Sequence, residues 1–302
     1  MTSGWRLAVR QAEPHELIRY VQLETGTACN YRCRYCPVAY HPRSGGFLPL
    51  EVIETLAAEL SGLPALEQIY LNGYDEPTTN PQLARIFELL SPLSARITLL
   101  TNGTRLTRKL AERIVDSGVD VEFDVHLSAA DPVEFKRIHQ SPLYSTVMRN
   151  LEDLAASPVA RRTEMHISMQ GRDAPGDNAA FAAIQEKFAD TPFLIHRYEP
   201  NDRAGSLENE YGEEIHHESL HGCGLQNRTL EWLHINATGI AVLCCQDYFE
   251  QYPIGRVPDS NLMQLVASPD RLRYHSWTMG EEVAPKDYLC RRCAHAKGGK
   301  AI

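Results

Sequence analysis

The eight cysteines of the chain fall into two groups whose positions predict chemistry. Cys29, Cys33 and Cys36 stand close together, the other five all follow residue 222, and the segment 37–222 has none. In a reducing compartment, grouped cysteines are typical of metal sites rather than of disulfides. We therefore expect one metal centre near each end of the chain.

The first group has the spacing Cys-x3-Cys-x2-Cys and follows a strand-like segment. Three thiolates can hold three irons of a [4Fe–4S] cluster and leave the fourth iron open to a chelating ligand. A zinc site is the alternative, because zinc takes four ligands in a closed tetrahedron and His41 is available as the fourth. The spacing leaves both metals open, and the position after the first strand of a βα series favours iron.

Four of the later cysteines are candidates for a second centre, either one fully ligated [4Fe–4S] cluster or a structural zinc site: Cys223, Cys244, Cys290 and Cys293. Cys245 is left over. Neighbouring side chains of a strand point to opposite faces, so Cys244 as a ligand directs Cys245 away from the metal. Cys245 is then a hydrogen-atom donor, with Asp247 orienting its thiol or the substrate, or a buried small residue. The third alternative makes Cys245 the ligand and Cys244 the spare thiol.

Strand-like and helix-like segments alternate over the first two thirds of the chain. The six strand-like segments cover residues 20–24, 68–72, 96–101, 119–127, 164–170 and 193–197. Repeated βα units predict a parallel sheet with helical crossovers, and six units are too few for a full eight-stranded barrel. The predicted fold is α/β, with a partial (βα)6 parallel barrel over residues 1–200. The chemistry of such a barrel lies at the C-terminal ends of its strands.

The pattern changes after Pro200. Residues 201–222 are polar and predict a linker or a substrate-facing loop, and residues 229–247 alternate like a β-hairpin that turns at residues 236–239. We expect residues 201–302 to form a small C-terminal α+β iron–sulfur domain.

The run from Cys29 to Cys36 reads CNYRCRYC, which resembles the signature of the radical S-adenosylmethionine (SAM) family. The likeness extends over about residues 20–197 and implies that SAM chelates the open iron. It also implies SAM contacts for residues at the strand ends: Tyr35, Gly73, Asp75, Glu76, Thr101, Asn102 and Ser128. Glu76 is the first candidate for the methionine amino group and Asp75 the second. The family's two glycines before Glu76-Pro77 are Tyr74 and Asp75 here, so this loop departs from the family pattern.

The later cysteines resemble the SPASM/twitch type of C-terminal extension, with Gly239 between Cys223 and Cys244 and a Cys-x2-Cys pair at the end. This resemblance implies one auxiliary [4Fe–4S] cluster. The full SPASM pattern continues with further cysteines, and none follow Cys293 in this sequence.

Together the resemblances imply an enzyme in which a 5′-deoxyadenosyl radical takes hydrogen from an unactivated C–H bond. Hydrogen return from Cys245 would give epimerisation, and the chain is similar to the neomycin C epimerase type of aminoglycoside antibiotic biosynthesis. Dehydrogenation of an aminocyclitol alcohol and epimerisation of a ribosomal peptide are the alternatives. A non-catalytic iron–sulfur carrier or zinc scaffold is the alternative from another class, and the motifs at Glu76 and Asn102 speak against it.

Charge and composition limit the partners. The net charge of −9 and the pI near 5.7 argue against a nucleic-acid binder, which needs a basic face. Neither a signal peptide nor a membrane helix is evident, which predicts a cytoplasmic protein served by an electron donor such as flavodoxin or ferredoxin. One acidic segment predicts a cationic small-molecule substrate, or else a solvated loop. Its carboxylates, against the single Arg203, are Glu199, Asp202, Glu208, Glu210, Glu213, Glu214 and Glu218.

Overall fold

Six parallel strands form the first half of the computed structural model, which describes residues 12–212, 214–225 and 227–299. They are β1 (Tyr20–Leu23), β2 (Gln68–Leu71), β3 (Arg96–Thr101), β4 (Val121–His126), β5 (Glu164–Gln170) and β6 (Leu194–Tyr198). They pair in chain order, each parallel to the next. The predicted α/β fold with a parallel barrel sheet is confirmed.

Helices cross between these strands and cover the outer face of the sheet. They are α1 (Leu50–Leu60), α2 (Leu83–Leu90), α3 (Arg108–Asp116), α4 (Pro132–His139), α5 (Tyr144–Ala155) and α6 (Pro175–Lys187). Their apolar stripes recur at helical spacing, as in α1, where Ile53, Leu56 and Leu60 are buried. Packing on this side fixes the outer face of each strand, so the strands' C-terminal ends meet at one rim.

The C-terminal third begins with β7 (Ser219–Cys223), α7 (Arg228–Glu231), β8 (Trp232–Ile235), β9 (Ile240–Val242) and β10 (Pro253–Arg256). The predicted hairpin is β8 and β9, with Gly239 at the turn in the left-handed region (φ 83°), where a side chain is disfavoured. Sequence analysis did not anticipate that β8 pairs in parallel with β1. One nine-stranded sheet results, in the order β10-β9-β8-β1-β2-β3-β4-β5-β6.

The chain ends in a smaller unit made of α8 (Leu262–Val266), α9 (Pro269–Met279) and β11 (Ala296–Gly299). Strand β11 pairs antiparallel with β7, and a separate small core includes Tyr288 and Leu289. Because β8 continues the barrel sheet, the domain boundary near residue 200 stays a prediction.

No helix in the described part of the chain is both long and apolar enough to cross a bilayer. Residues 1–11, on which the prediction about a signal peptide depends, lie outside the described residues.

Candidate active site

The three clustered cysteines lie in the loop after β1 and border one large cavity. Cys29, Cys33 and Cys36 line a cavity of about 410 Å³, hereafter the rim cavity. The backbone N–H of Arg32 donates to the carbonyl of His139 at 3.2 Å and holds this loop against the end of α4. The three cysteines, hereafter the rim site, therefore lie where the barrel geometry predicts chemistry.

Sulfur spacing bears on the two metals that the sequence left open. Thiolates bound to a tetrahedral zinc ion at about 2.3 Å stand roughly 3.8 Å apart. Among the described residues, one group of three metal-ligating side chains has its ligand atoms within 4.8 Å of one another: Glu122, Glu164 and His166. It contains no cysteine, and the Arg96 guanidinium bonds to both of its carboxylates. Among the described residues, no such compact group includes the rim cysteines, so their sulfurs are not already gathered at zinc spacing in the metal-free chain.

Burial keeps the rim thiols protonated in the metal-free chain. Burial, with the Glu76 carboxylate nearby, raises the pKa of Cys29 to about 12. Burial also raises the pKa of Cys33 and of Cys36. Cluster iron binds the thiolate, so assembly of a cluster at this site releases protons.

Sequence analysis missed His139, which contacts a rim sulfur directly. Its Nδ1 lies 3.2 Å from the Sγ of Cys33 and 3.2 Å from the hydroxyl of Tyr35. The backbone N–H of Ser128 donates to its Nε2 at 3.3 Å, so Nε2 is the acceptor and Nδ1 carries the hydrogen. Burial holds the pKa of His139 well below its usual range. A neutral imidazole therefore offers an N–H to the Cys33 sulfur.

The two carboxylates of the loop after β2 differ in how many acceptors they have left. Glu76 accepts from the N–H and hydroxyl of Thr78 (3.1 and 2.5 Å), the hydroxyl of Thr101 (2.5 Å) and the N–H of Asn102 (2.6 Å). Three of these bonds fall on Oε1 and one on Oε2, so the chain occupies Oε1 fully and Oε2 in part. Asp75 accepts three hydrogen bonds on Oδ2, while its buried Oδ1 has no partner in the described residues. An oxygen of Asp75 without any partner, and an Oε2 of Glu76 with a single partner, are thus both open to a ligand, and the order of the two candidates stays a prediction.

The other predicted SAM-contacting residues lie around the same rim. The rim cavity is lined by Tyr35, Gly73, Asp75, Glu76, Thr101 and Asn102. Gly73 leaves no room for a side chain, because a Cβ there would come within 2.2 Å of the Glu24 side chain. Ser128 is buried behind the wall, where its hydroxyl contacts the Nε2 of His126 at 2.8 Å.

The four later cysteines converge on a second cavity. Cys223 ends β7, Cys244 follows β9, Cys290 lies within a short 3-10 turn and Cys293 directly follows that turn. All four line this second cavity together with Leu225, Leu289 and Ala296. The four cysteines are called the quartet site below, and the cavity is called the quartet cavity. Burial raises the pKa of Cys290 to about 11 and that of Cys293 to about 12. The site supplies four thiols in an apolar setting, as a fully ligated cluster requires.

Cys244 and Cys245 face different cavities. Cys244 lines the quartet cavity and Cys245 the rim cavity, and both border a narrow crevice between the two. The hydroxyl of Tyr74 donates to the backbone carbonyl of Cys245 at 2.6 Å and holds this segment at the rim. The geometry thus favours Cys244 as the quartet thiol and leaves Cys245 beside the rim site.

The Cys245 sulfur accepts hydrogen bonds from Arg228 and, at a longer distance, from Gln246, rather than contacting the expected Asp247. Arg228 donates from Nη1 to Sγ of Cys245 at 3.2 Å. Both carboxylate oxygens of Asp247 instead accept backbone N–H groups, from Gln251 at 2.9 Å and Tyr252 at 2.8 Å. Asp247 therefore organises the turn that follows it. Nothing in local sequence marks Arg228, since the contact spans seventeen residues and a change of element.

The acidic segment contributes a cation to the rim cavity. Arg203 lines the cavity, and none of the segment's described carboxylates does. Glu213 lies outside the described residues. Burial and the surrounding side chains act in opposite directions on Arg203, and the net effect raises its pKa, so the guanidinium stays charged.

Comparison with known proteins gives two family matches. The model of the radical SAM superfamily matches residues 23–169, and that of the SPASM iron–sulfur cluster-binding domain matches residues 223–294. These ranges contain the rim site and the quartet site respectively.

Individual similarities are distant. The chain is 26% identical over 106 residues to the tungsten-containing aldehyde ferredoxin oxidoreductase cofactor-modifying protein of Pyrococcus furiosus, covering 35% of this chain and 30% of that protein. It is 26% identical over 231 residues to the mycofactocin maturase MftC of Mycobacterium ulcerans, covering 76% of this chain and 58% of that protein. The chain thus spans less than two thirds of the length of these curated relatives.

The crystal structure of BtrN in complex with AdoMet and 2-DOIA resembles the whole chain in fold. Its TM-score is 0.62 at 17% identity, over 92% of this chain and 94% of that chain. At this identity the likeness establishes the fold alone.

Proposed function

Since the chain carries a radical SAM domain followed by a SPASM iron–sulfur domain, we propose that it is a radical SAM enzyme that inverts a C–H stereocentre with Cys245 as hydrogen donor. One observation carries this proposal. The sulfur of Cys245 borders the rim cavity, while the four quartet cysteines border another. The cavity wall thereby offers a thiol that no cluster requires.

The cofactors of the two domains are SAM and two [4Fe–4S] clusters, and the cysteines fit both clusters. Three thiols at the rim site leave one iron open, and four at the quartet site leave none. SAM at the open iron supplies, on one-electron reduction by a carrier such as flavodoxin or ferredoxin, the 5′-deoxyadenosyl radical that takes hydrogen from substrate. The free acceptor of Asp75 suits the methionine amino group.

Cys245 completes the reaction by returning hydrogen. One hydrogen atom passes from its Sγ to the substrate carbon radical, which forms the new C–H bond and leaves a thiyl radical. One electron from the same class of carrier and one proton from solvent restore the thiol. Delivery to the face opposite the abstraction inverts the centre with no net oxidation of substrate.

Dehydrogenation of an alcohol is the second candidate function. It is favoured by the proximity of the quartet site, because Arg228 borders both cavities. A cluster held by the four quartet cysteines would supply the electron acceptor, and the substrate radical would release its proton to solvent instead of gaining a hydrogen atom.

The cavity gives no support to an aminoglycoside substrate. Polyamine sugars are held by carboxylates, and the two in the rim cavity, Asp75 and Glu76, are bonded to the chain or reserved here for the methionine amino group. This leaves Arg203 and Arg228 to face the substrate. Aminoglycosides therefore enter the test as one arm, beside aminocyclitols and linear peptides.

The test uses anaerobically reconstituted protein with SAM and dithionite in deuterated water. Epimerisation places one solvent deuterium at the inverted carbon, because a thiol exchanges with solvent. Cys245→Ala should abolish inversion while hydrogen abstraction into 5′-deoxyadenosine continues. Cys245→Ser keeps the size and polarity of the side chain, but its O–H bond is too strong to donate, so it should fail in the same way.

Two outcomes would overturn the proposal. If 5′-deoxyadenosine does not exceed that of a Cys33→Ala control, the chain is not a radical SAM enzyme. If wild-type protein gives an oxidised product and Cys245→Ala gives the same yield, the reaction is dehydrogenation.

A further inference from the structure

The acidic and the basic side chains of the rim cavity differ in how many partners the rest of the chain gives them. Its two carboxylates, Asp75 and Glu76, accept seven hydrogen bonds from the chain between them, three and four respectively. Its two guanidinium groups, on Arg203 and Arg228, have no carboxylate within ion-pair distance among the described residues. The buried Nε of each also lacks an acceptor there. The cavity therefore contains positive charge that no carboxylate of the described residues pairs with.

Arg43 shows how this chain satisfies an arginine when the charge is structural. It borders the adjoining crevice and forms an ion pair with the buried Glu24 at 2.8 Å. Its other terminal nitrogen donates to the carbonyl of Tyr248 at 2.7 Å. Burying a cation without such partners costs free energy, so the two unpaired guanidinium groups call for a ligand.

Arg228 is held in place without losing its binding edge. Its guanidinium carbon lies 3.9 Å from the centroid of the Trp232 ring, which itself packs on Tyr20 and Tyr70 at 4.7 and 5.0 Å. Nη1 contacts Cys245, and Nε has no acceptor. A guanidinium fixed in one plane presents N–H groups that match the oxygens of a carboxylate or phosphate.

Arg203 enters the cavity from a strained loop. Arg203 and Ala204 both adopt the left-handed backbone region, with φ of 55° and 53°. Such a conformation is disfavoured for a residue with a side chain, because its Cβ comes close to the following carbonyl oxygen. Strain of this kind persists where the surrounding structure requires it, often at functional sites.

We infer that the substrate bears an oxyanion, a carboxylate or a phosphate, which Arg228 binds beside Cys245 with Arg203 adding positive charge. SAM brings a single carboxylate, and the cavity holds two unpaired guanidinium groups. The inference rests on the proposed function, because it takes the rim cavity as the substrate site. It places the anion next to the sulfur that returns hydrogen and so fixes which face of the substrate meets Cys245.

The test compares ligands of one shape and opposite charge. Phenylacetate, phenyl phosphate and phenethylammonium are titrated calorimetrically into reconstituted full-length protein that is saturated with SAM, so that the SAM carboxylate already has its partner. The two anions should bind and the ammonium should not. The tighter of the anions identifies the oxyanion.

Substitution of Arg228 gives the second readout. Arg228→Gln should weaken anion binding about tenfold to a hundredfold, as expected for loss of a charged hydrogen bond, and Arg228→Lys should lose less. Arg149→Gln, at an exposed site on α5, is the matched control and should bind like wild type. Iron content and circular dichroism identify any variant that fails to fold.

The inference is overturned if phenethylammonium binds as tightly as the anions, if neither anion binds, or if folded Arg228→Gln keeps full anion affinity. Binding requires no turnover. Anion binding that depends on Arg228, without any 5′-deoxyadenosine formation, would refute the proposed function alone. Deuterium incorporation that depends on Cys245, without anion binding, would refute this inference alone.

Discussion

The rim site and the quartet site use the same side chain in opposite ways. The rim cysteines come from one short loop and open onto a cavity of about 410 Å³. The quartet cysteines come from three distant segments, and Cys244, Cys290 and Cys293 belong to a separate apolar core. The rim site has one thiol fewer and an open side, so a cluster there would keep one iron free for a ligand. A cluster at the quartet site would have all of its irons bound by the chain.

The residues around the two sites also differ, since polar contacts surround the rim site and aromatic packing surrounds the quartet site. Around the rim site, Glu76 ties β2 to the loop after β3 through Thr101 and Asn102. Around the quartet, the buried ring of Tyr288 packs on Tyr252 and Trp277. Polar loops can adjust around a ligand, whereas a packed aromatic core resists change.

Substitution of single cysteines should give the largest difference in activity between the two sites. Cys33→Ala removes a rim ligand, so about four irons per chain and all SAM cleavage should be lost, roughly a thousandfold or more. Cys293→Ala should also lose about four irons, while 5′-deoxyadenosine formation persists. Iron and sulfide analysis together with product chromatography measures both. Equal loss of SAM cleavage in the two variants would show that the sites act as one centre.

The loop carboxylates provide the next largest effect. Glu76→Gln can keep the three bonds on Oε1 but turns a donor towards the buried N–H of Asn102, which should lower the free energy of unfolding by about 1–3 kcal/mol. Asp75→Asn keeps the three bonds on Oδ2 and should cost less than about 1 kcal/mol while weakening SAM binding. Urea denaturation and SAM titration separate the two effects. A larger stability loss for Asp75→Asn would contradict the distinction.

Hydrogen bonds to the ligand sulfurs offer a smaller, paired test. His139 contacts Cys33 at 3.2 Å, and the hydroxyl of Thr278 contacts Cys290 at 3.5 Å. A hydrogen bond to sulfur favours the reduced cluster, so its loss should lower the midpoint potential. A bond worth about 1 kcal/mol corresponds to roughly 40 mV for one electron.

The variants are His139→Phe and Thr278→Val, followed by EPR-monitored redox titration. Each should lower the potential of its own cluster and leave the other unchanged. A shift of both signals in either variant would mean that the substitution disturbs the fold rather than one sulfur.

Low pH should lower the stability of the folded chain through two buried histidines that lie outside both sites. Burial lowers the pKa of His275 to about 4 and holds that of His234 well below its usual range. The unfolded chain takes up protons at about pH 6.5, so stability is complete above that pH and falls as the pH drops towards the folded values. At pH 5.5 each should cost about 1 kcal/mol. His275→Gln should flatten the fall in melting temperature between pH 7 and 5.5, and an unchanged slope would contradict this assignment.

Much of the fold followed from local sequence. The six predicted barrel strands are present with small shifts at their ends, because alternation of apolar strands and amphipathic helices sets the order of a parallel sheet. The pairing of β8 with β1 was not predictable. It joins residues more than two hundred positions apart, and no local pattern specifies which edge a distant strand will cover.

Some features of the candidate site could likewise be predicted from local sequence, and others could not. Spacing and side-chain type singled out the rim cysteines and a later group that contains one of the adjacent pair Cys244 and Cys245, and alternation along the strand anticipated that these two would face apart. Sequence could not choose between these two, nor find His139 and Arg228, nor show which groups of the chain bond to Glu76. Those facts depend on contacts between elements that are far apart in the chain.

By itself, the sequence determined the order of the βα units and the two sets of thiols, since backbone geometry fixes what residues a few positions apart can do. Only the tertiary structure decided the charge of the cavity. Arg203 and Arg228 arrive from the C-terminal third, whereas the carboxylates around them are bonded to neighbouring loops. Whether a charge is free or paired depends on every element that packs against it, and a linear sequence does not contain that information in readable form.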